Sequence, residues 1–188
     1  MSRLYSFVAG YQGLWHIDTI AAVTGESLPA AEFLHVVNAD VHPAPVAGAW
    51  CLRGVTSYER YVVRSEKSAL ARIQPPIGRL EATRAALIPI KKSSEWWQLP
   101  HDARREIFAG RSLHIETGLK YLPAVARRLH HSYDLDEPFD FLTWFEYAPA
   151  DAEAFEHLVG ELRKTEEWSY IEREVDVRLT KIIEPEAP

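Results

Sequence analysis

The sequence predicts an α+β fold in which helices cover one face of an antiparallel sheet. Side-chain character alternates along FDFLTWFEYAP (139–149), which is typical of a β-strand. Apolar residues recur at helical spacing in DAEAFEHLVGELRKTEEW (151–168), which is typical of an amphipathic helix that begins after Pro149. The strand face that we expect to pack on helices or on a ligand consists of Phe139, Phe141, Thr143, Phe145 and Tyr147. The inward residues of the helix are Phe155, Leu158, Val159 and Leu162.

Four further segments are predicted as strands because their apolar residues alternate and turn residues bound them. They are LYSFVAGYQG (4–13), GAWCLRGVTSY (48–58), TRAALIPIKKS (83–93) and EREVDVRLTKI (172–182). In the last of these, Val175, Val177 and Leu179 share one face. The sheet is therefore assembled from segments at both ends of the chain.

Two more helices are predicted between these strands. The segment DARREIFAGRSL (102–113) follows Pro100 and turns Ile107 and Phe108 inward. The segment LKYLPAVARRLHHSY (119–133) also has helical spacing, and its proline suits a first turn better than a helix middle. A further helix is expected from about residue 65.

The predicted elements divide the chain into two unequal parts. In residues 76–182 the order is strand, helix, helix, strand, helix, strand, which predicts a ferredoxin-like plait with helices on one face of an antiparallel sheet. Residues 1–75 form a shorter, strand-rich half. Because the two halves are compatible with one shared sheet, we expect a single α+β domain over residues 1–188.

The composition excludes several classes of function. The 188 residues carry a net charge of −6 without a basic run among aromatics, which argues against nucleic-acid binding. Cys51 is the single cysteine, so neither an intrachain disulfide nor a cysteine-based metal centre can form. No apolar run is long enough for a membrane span, and the first residues lack a signal-peptide pattern, so we expect a cytoplasmic protein.

Aromatic residues are abundant, with 6 Trp, 8 Tyr and 7 Phe. They indicate either a large aromatic core or a pocket for a flat, apolar cofactor. Composition alone favours the core.

His114 lies among apolar neighbours in GRSLHIETG (110–118). A lone histidine in such a setting is more often structural than a ligand. It makes a poor zinc site, yet one histidine is sufficient to hold haem. Such a ligand needs an acceptor on its second ring nitrogen, and Glu116, Glu166 and Glu167 are candidates.

Arg127 and Arg128 form a pair thirteen and fourteen residues after His114. On the predicted helix, the apolar stripe brings one of the two to the buried edge, and the helix phase leaves open which. An arginine there is a permanent cation that can hold an anionic substrate. His130 and His131 are predicted to be surface residues.

Several spaced motifs together resemble the chlorite dismutase family. They are the Lys–x₃–Trp–Trp segment at 92–97, SLHIE at 112–116, the arginine thirteen residues after His114, the Thr–x–Phe strand at 143–145 and an acid near residue 167. The similarity covers roughly residues 50–182 and is strongest to the short-chain, dimeric branch of this haem b family. That branch implies a dimeric α+β barrel, a shortened N-terminal half and a homodimer.

The resemblance implies roles for individual residues. His114 resembles the iron ligand, Glu167 the acid that accepts its second N–H, and Arg127 the arginine on the opposite side of the haem. Other residues are implied to line the haem and its pocket: Gln74, Lys92, Trp96, Trp97, Leu122, Thr143, Phe145 and Tyr61. Tyr58 departs from the asparagine of the longer enzymes, which puts the nearby propionate contacts in doubt.

The implied activity is conversion of chlorite to chloride and dioxygen on haem b, by way of ferryl and hypochlorite intermediates. Two alternatives remain open from the sequence. One is a relative within the superfamily, either a coproheme decarboxylase, which lacks the arginine, or a dye-decolourising peroxidase, which pairs an arginine with an aspartate. The other is a non-enzymatic α+β dimer that binds haem or another small molecule.

Overall fold

The computed structural model describes residues 3–38, 50–56 and 75–182. The helix predicted from about residue 65, together with Tyr58, Tyr61 and Gln74, lies outside these ranges. The described residues form eight strands: β1 (Leu4–Gly10), β2 (Trp15–Thr24), β3 (Phe33–Asn38), β4 (Cys51–Thr56), β5 (Arg84–Lys92), β6 (Val125–His131), β7 (Phe141–Tyr147) and β8 (Ile171–Lys181). All of the strands predicted from alternation are present.

The eight strands close into one antiparallel barrel in the order β1-β3-β2-β8-β5-β7-β6-β4. The N-terminal strands join the C-terminal ones at two seams. At the first seam β2 pairs with β8, and at the second β4 pairs with β6, where Thr56 lies opposite His130. The two halves of the chain therefore share a single closed sheet.

Short helical elements lie between the strands of the C-terminal half. They are α1 (Ser94–Gln98), α2 (His101–Arg105), a π-helical segment (Glu106–Arg111), α3 (His114–Lys120), α4 (Ala152–Leu162) and a 3₁₀ segment (Glu166–Tyr170). The four predicted inward residues of α4 are all buried. None of the helices in the described ranges combines the length and the apolar character that crossing a bilayer requires.

The helix predicted over residues 119–133 is wrong. The chain leaves α3 at Lys120, turns through Pro123 and enters strand β6. Apolar spacing alone fits both structures here, and pairing of β6 with β7 and with β4 overrides the helical pattern. The element order from β5 onward is therefore strand, helices, strand, strand, helix, strand.

Closure of the sheet agrees with the α+β barrel that the resemblance implied, and it turns the face without helices into the barrel interior. Alternation along β7 gives each face its own core, as predicted for the residues from Phe141 onward. Phe139, which precedes the strand, packs instead with the interior core, so its predicted face is wrong. Leu142 and Trp144 point inward, where they pack with Phe7, Leu34 and the Val175, Val177 and Leu179 face of β8. Phe145 and Tyr147 point outward and pack against α4.

His130 is buried, which contradicts its predicted surface position. On β6 it lies opposite Leu142 of β7, so it faces the barrel interior, and only 1% of it is exposed. Its ring meets the edges of Tyr5 and Phe7 at centroid distances of 5.0 and 5.1 Å, and its Nδ1–H donates to the Leu142 carbonyl at 3.2 Å. Burial lowers the pKa of His130 to about 4. His131 faces the outside, half-buried beside Phe141.

Acid should therefore destabilise the barrel through His130. Between pH 6.5 and 4 the unfolded chain binds a proton at this residue and the folded chain does not, so stability falls as the pH falls, by about 3 kcal/mol in total. His130→Leu should flatten this part of the pH profile in urea unfolding. Leu142→Val, a packing change beside the same ring, should lower the curve and keep its slope. An unchanged slope in His130→Leu would contradict the assignment.

Candidate functional site

The outer face of β5, β7 and β6 supplies one wall of the site. Strand register aligns side chains on this face in lateral rows that take one residue from each strand, and three of these rows border the site. The rows are Ala86–Phe145–Arg127, Ile88–Thr143–Leu129 and Ile90–Phe141–His131. Thr143 and Phe145, which the sequence singled out, therefore lie on the same surface as Arg127. Thr143 and Phe141 are half-buried and Leu129 is exposed, so α4 covers this wall only in part.

His114 is the first residue of α3. The preceding Leu113 has a left-handed backbone, with φ of 47°, which turns the chain out of the π-helical segment into α3. The ring of Phe108 stacks on the imidazole at 4.5 Å, and the His114 side chain is 21% exposed. His114 Nδ1 lies 2.9 Å from Glu167 Oε2. Because Nδ1–H donates to this carboxylate, the Nε2 lone pair is left to bind a ligand.

The structure brings Glu167 to His114, whereas Glu166 turns outward to Arg111 at 3.1 Å. Glu167 is buried in the 3₁₀ segment after α4, and its backbone N–H donates to Ser112 Oγ at 3.0 Å. Ser112 lies two residues before His114. This bond therefore ties the backbone of the acid to the turn that presents the histidine.

Lys92 completes the environment of the carboxylate from the end of β5. Its Nζ lies 2.9 Å from Glu167 Oε1 and 3.2 Å from the Glu167 carbonyl oxygen. It also lies 4.4 Å above the ring of Trp96, and the lysine is 4% exposed. Each carboxylate oxygen of Glu167 thus has its own partner.

The pKa values of Glu167 and Lys92 both depart from their usual range. Burial alone would raise the pKa of Glu167, but the charge and hydrogen bond of His114, followed by those of Lys92, outweigh burial and hold it at about 2. Burial lowers the pKa of Lys92, and its attraction to Glu167 offsets only part of this effect. Glu167 is consequently ionised throughout the neutral range, as an acceptor for His114 has to be.

Trp97 lies on the side of α1 that faces the outer wall, while Trp96 is buried beside Lys92. The Trp97 indole N–H donates to Asp140 Oδ2 at 3.1 Å, and its ring stacks on Tyr133 at 3.9 Å. The same Asp140 oxygen accepts the backbone N–H of Lys92 at 2.7 Å. Asp140, the residue before β7, therefore accepts hydrogen bonds from both Lys92 and Trp97. No motif in the sequence indicates this role of Asp140.

Arg127 and Arg128 point to opposite faces of β6. Arg128 faces the barrel interior, where its Nη1–H donates to the Tyr5 hydroxyl at 2.9 Å. Arg127 faces outward beside Phe145, and its guanidinium lies against Gly118 of α3, one turn after His114. Burial lowers the pKa of Arg127 to about 10, so its side chain stays cationic at neutral pH.

Three predicted site residues remain. Leu122 lies half-buried in the turn between α3 and β6, and Gln74 and Tyr61 fall outside the described ranges. Phe108, Ser112 and Trp168 contact the site residues although the sequence did not single them out. The sequence predicted Phe108 only as an inward residue of the helix over 102–113, and Trp168 only as the last residue of the segment 151–168, so neither carried a signal for the site.

Comparison with known proteins identifies relatives of this chain. The family model "Chlorite dismutase" matches residues 35–183, which is well over half of the chain. A chlorite dismutase of Ideonella dechloratans is 37% identical over 86 residues, which are 46% of this chain and 28% of that protein. The chain therefore aligns with less than a third of the length of this relative.

Solved structures agree with the family model. A dimeric chlorite dismutase from Nitrobacter winogradskyi is 55% identical, with a TM-score of 0.88 over 95% of this chain and 99% of that one. The chlorite dismutase of Candidatus Nitrospira defluvii in complex with imidazole is 21% identical, with a TM-score of 0.66 over 95% and 92% of the two chains, and so shares the fold. From these matches and the matched family model, the chain belongs to the chlorite dismutase family.

Proposed function

We propose that this protein is a haem b enzyme that converts chlorite to chloride and dioxygen. Two contacts of α3 carry the proposal. His114 is hydrogen-bonded to Glu167 of the buried Glu167–Lys92 pair, and the cationic Arg127 of β6 lies against Gly118, one turn of α3 after His114. The Nitrobacter relative, which is named a dimeric chlorite dismutase, supports the same substrate and a homodimer.

The residues present fit haem b. The donor set is one imidazole whose Nδ1 is committed to a carboxylate, which suits a cofactor that needs a single strong ligand from the protein. Most side chains on the wall of β5, β7 and β6 are aromatic or aliphatic, as the apolar part of a flat macrocycle requires. His114 would bind the iron through Nε2, and Lys92, Trp96 and Trp97 would line the cofactor. When bound, ferric haem supplies an iron that binds an oxyanion and exchanges oxygen with it.

Glu167 tunes the strength of the His114 ligand. A carboxylate that accepts the Nδ1–H draws the proton towards itself and gives the imidazole anionic character, which favours the oxidised states of a bound metal. Lys92 supports this role because it pairs with the other carboxylate oxygen and keeps Glu167 ionised. The proton remains in the hydrogen bond between His114 Nδ1 and Glu167.

Arg127 would hold the oxyanion. A guanidinium half-buried beside Phe145 attracts a small anion more strongly than it would in water, because few water molecules screen its charge. With Thr143, Phe145 and Leu122 as neighbours, the pocket would offer an escaping hypochlorite few groups to oxidise. Gln74 and Tyr61 are proposed as further contacts of the arginine and of a propionate.

Gly118 positions this arginine. A Cβ built on Gly118 would overlap the Cζ and both terminal nitrogens of Arg127, so the guanidinium occupies space that only glycine leaves open. Since that group is the mobile end of a long side chain, a methyl group at residue 118 would displace it without unfolding α3. The position of the cation relative to His114 therefore depends on the absence of a side chain at residue 118.

The proposal also includes the fold of the C-terminal half, the domain organisation, the oligomeric state and the location. The order of elements from β5 to β8 supports a ferredoxin-like plait in the C-terminal half, within a single α+β domain over residues 1–188. The working unit is proposed to be a homodimer, located in the cytoplasm.

Addition of chlorite to the haem-loaded protein should release dioxygen, measured with an oxygen electrode. His114→Ala should bind haem weakly and lose the Soret band of the parent, because the iron loses its proposed protein ligand. His35→Ala, which changes an exposed histidine on β3, is the matched control and should leave the spectrum unchanged. An intact haem spectrum without gas evolution would instead favour one of the related haem functions.

Arg127→Ala should lower chlorite turnover on the order of 100-fold, since it removes the fixed cation from the pocket. It should also bleach the haem faster and release hypochlorite that chlorinates an added trap. Arg128→Ala is the control, because this neighbour bonds Tyr5 inside the barrel. Equal turnover and bleaching in Arg127→Ala and the parent would refute the role given to Arg127.

Gly118→Ala should lower turnover towards the level of Arg127→Ala, with little change in the melting temperature. Added to Arg127→Ala, the same substitution should have no further effect, because it acts through the guanidinium. Gly160→Ala on α4, where an added Cβ meets nothing within 4 Å, serves as control. Independent, multiplying losses in the double variant would show that Gly118 does not act through Arg127.

A further inference from the structure

Trp168 lies beside every member of the His114–Glu167–Lys92 group. Its ring is nearly parallel to the His114 imidazole, with an interplanar angle of 21° and centroids 6.2 Å apart. Lys92 Nζ lies 5.7 Å from the centroid of the Trp168 ring and 4.4 Å from that of Trp96, so the ammonium is close to both indoles. Trp168 is also the residue that directly follows Glu167 in the 3₁₀ segment.

The indole of Trp168 is anchored on the barrel. Its Nε1–H donates to Glu174 Oε2 at 2.8 Å, and Glu174 on β8 is fully buried. The other Glu174 oxygen accepts from Arg163 Nε at 2.8 Å and Nη2 at 2.6 Å. Arg163 directly follows α4 and also donates to Asp176 at 2.9 Å. The indole is thus fixed to β8 and, through Arg163, to the end of α4.

This anchor constrains the direction of the Glu167 carboxylate. In a 3₁₀ segment three residues complete a turn, so rotating the backbone at one residue swings the side chain of its neighbour. The segment is only five residues long; the Glu167 N–H donates to Ser112 in the turn before α3, and the Tyr170 carbonyl at its far end accepts from the Ser93 N–H. Fixing the Trp168 ring by an N–H bond and by packing therefore removes the main freedom by which Glu167 could turn away from His114.

We propose that Trp168, held by Glu174, is a positioning residue that keeps Glu167 on His114 and so sets how strongly the imidazole donates to a bound iron. This inference rests on the proposed haem function. Trp168 touches no reacting atom. It acts through the hydrogen bond between His114 and Glu167, whose strength controls the basicity of the ligand.

A chemically matched bond elsewhere in the molecule provides the control. Trp144 Nε1–H donates to the buried Glu146 at 2.8 Å, the same indole–carboxylate bond at the same length. This second bond lies inside the barrel, on the opposite face of the sheet from the site. Loss of either bond leaves a carboxylate oxygen short of a donor, so both variants should lose several degrees of melting temperature.

The test measures the haem-loaded parent, Trp168→Phe and Trp144→Phe by spectroelectrochemical titration of the Fe(III)/Fe(II) couple and by resonance Raman spectroscopy of the ferrous iron–histidine stretch. In Trp168→Phe a weaker bond from His114 to Glu167 makes the imidazole a poorer donor. The midpoint potential should therefore rise and the stretching frequency should fall. Trp144→Phe should show neither shift despite its similar loss of stability.

Unchanged potential and frequency in Trp168→Phe, or equal shifts in both variants, would overturn the inference. If Trp168→Phe does not retain haem, Glu174→Gln is measured in the same way. It keeps the indole ring and weakens the acceptor of its N–H, so the same two shifts are expected and their absence overturns the proposal. A parent protein without a Soret band would instead defeat the haem function, so the two failures are distinguishable.

Discussion

The buried Glu167 carboxylate is the constraint on which the site depends. A charge with 6% exposure is costly unless it is paired and hydrogen-bonded. Lys92 and His114 each take one oxygen, and they come from β5 and α3, two elements far apart in the chain. The carboxylate is therefore stable only when the barrel edge, α3 and the 3₁₀ segment are assembled together. The orientation of His114 and the folding of this part of the molecule therefore depend on the same contacts.

Pairing of β5 with β8 brings Lys92 and the 3₁₀ segment together. Lys92 is the last residue of β5 and lies opposite Ile171, the first residue of β8. The Ser93 N–H donates to the Tyr170 carbonyl at 2.8 Å, which joins the chain after β5 to the 3₁₀ segment before β8. Pairing of β5 with β8 thus delivers the lysine and the acid to the same place. Without this register, Lys92 and Glu167 would each be an uncompensated buried charge.

Strand and helix periods were sufficient to predict β5, β7, β8 and α4, because each buries one face and leaves the period visible. They failed at β6, where Leu119, Leu122, Val125 and Leu129 fit a helix although the last three belong to a turn and a strand. What decides between the two structures is pairing with β4 and β7, which is information held elsewhere in the chain. The same error made His130 look exposed. The site residues came from spaced motifs, whereas Trp168 and Gly118 have no such signal.

The strand assignment also supports the proposed choice of Arg127 over Arg128 on physical grounds. On a helix, neighbours are separated by about 100°, so Arg127 and Arg128 could both border the same face. On a strand, successive side chains point to opposite faces, so one must leave the site. Arg128 has its partner inside the barrel, in the Tyr5 hydroxyl, whereas Arg127 shares the outer row with Phe145. Arg128 therefore connects β6 to β1, and Arg127 lies on the outer wall against α3.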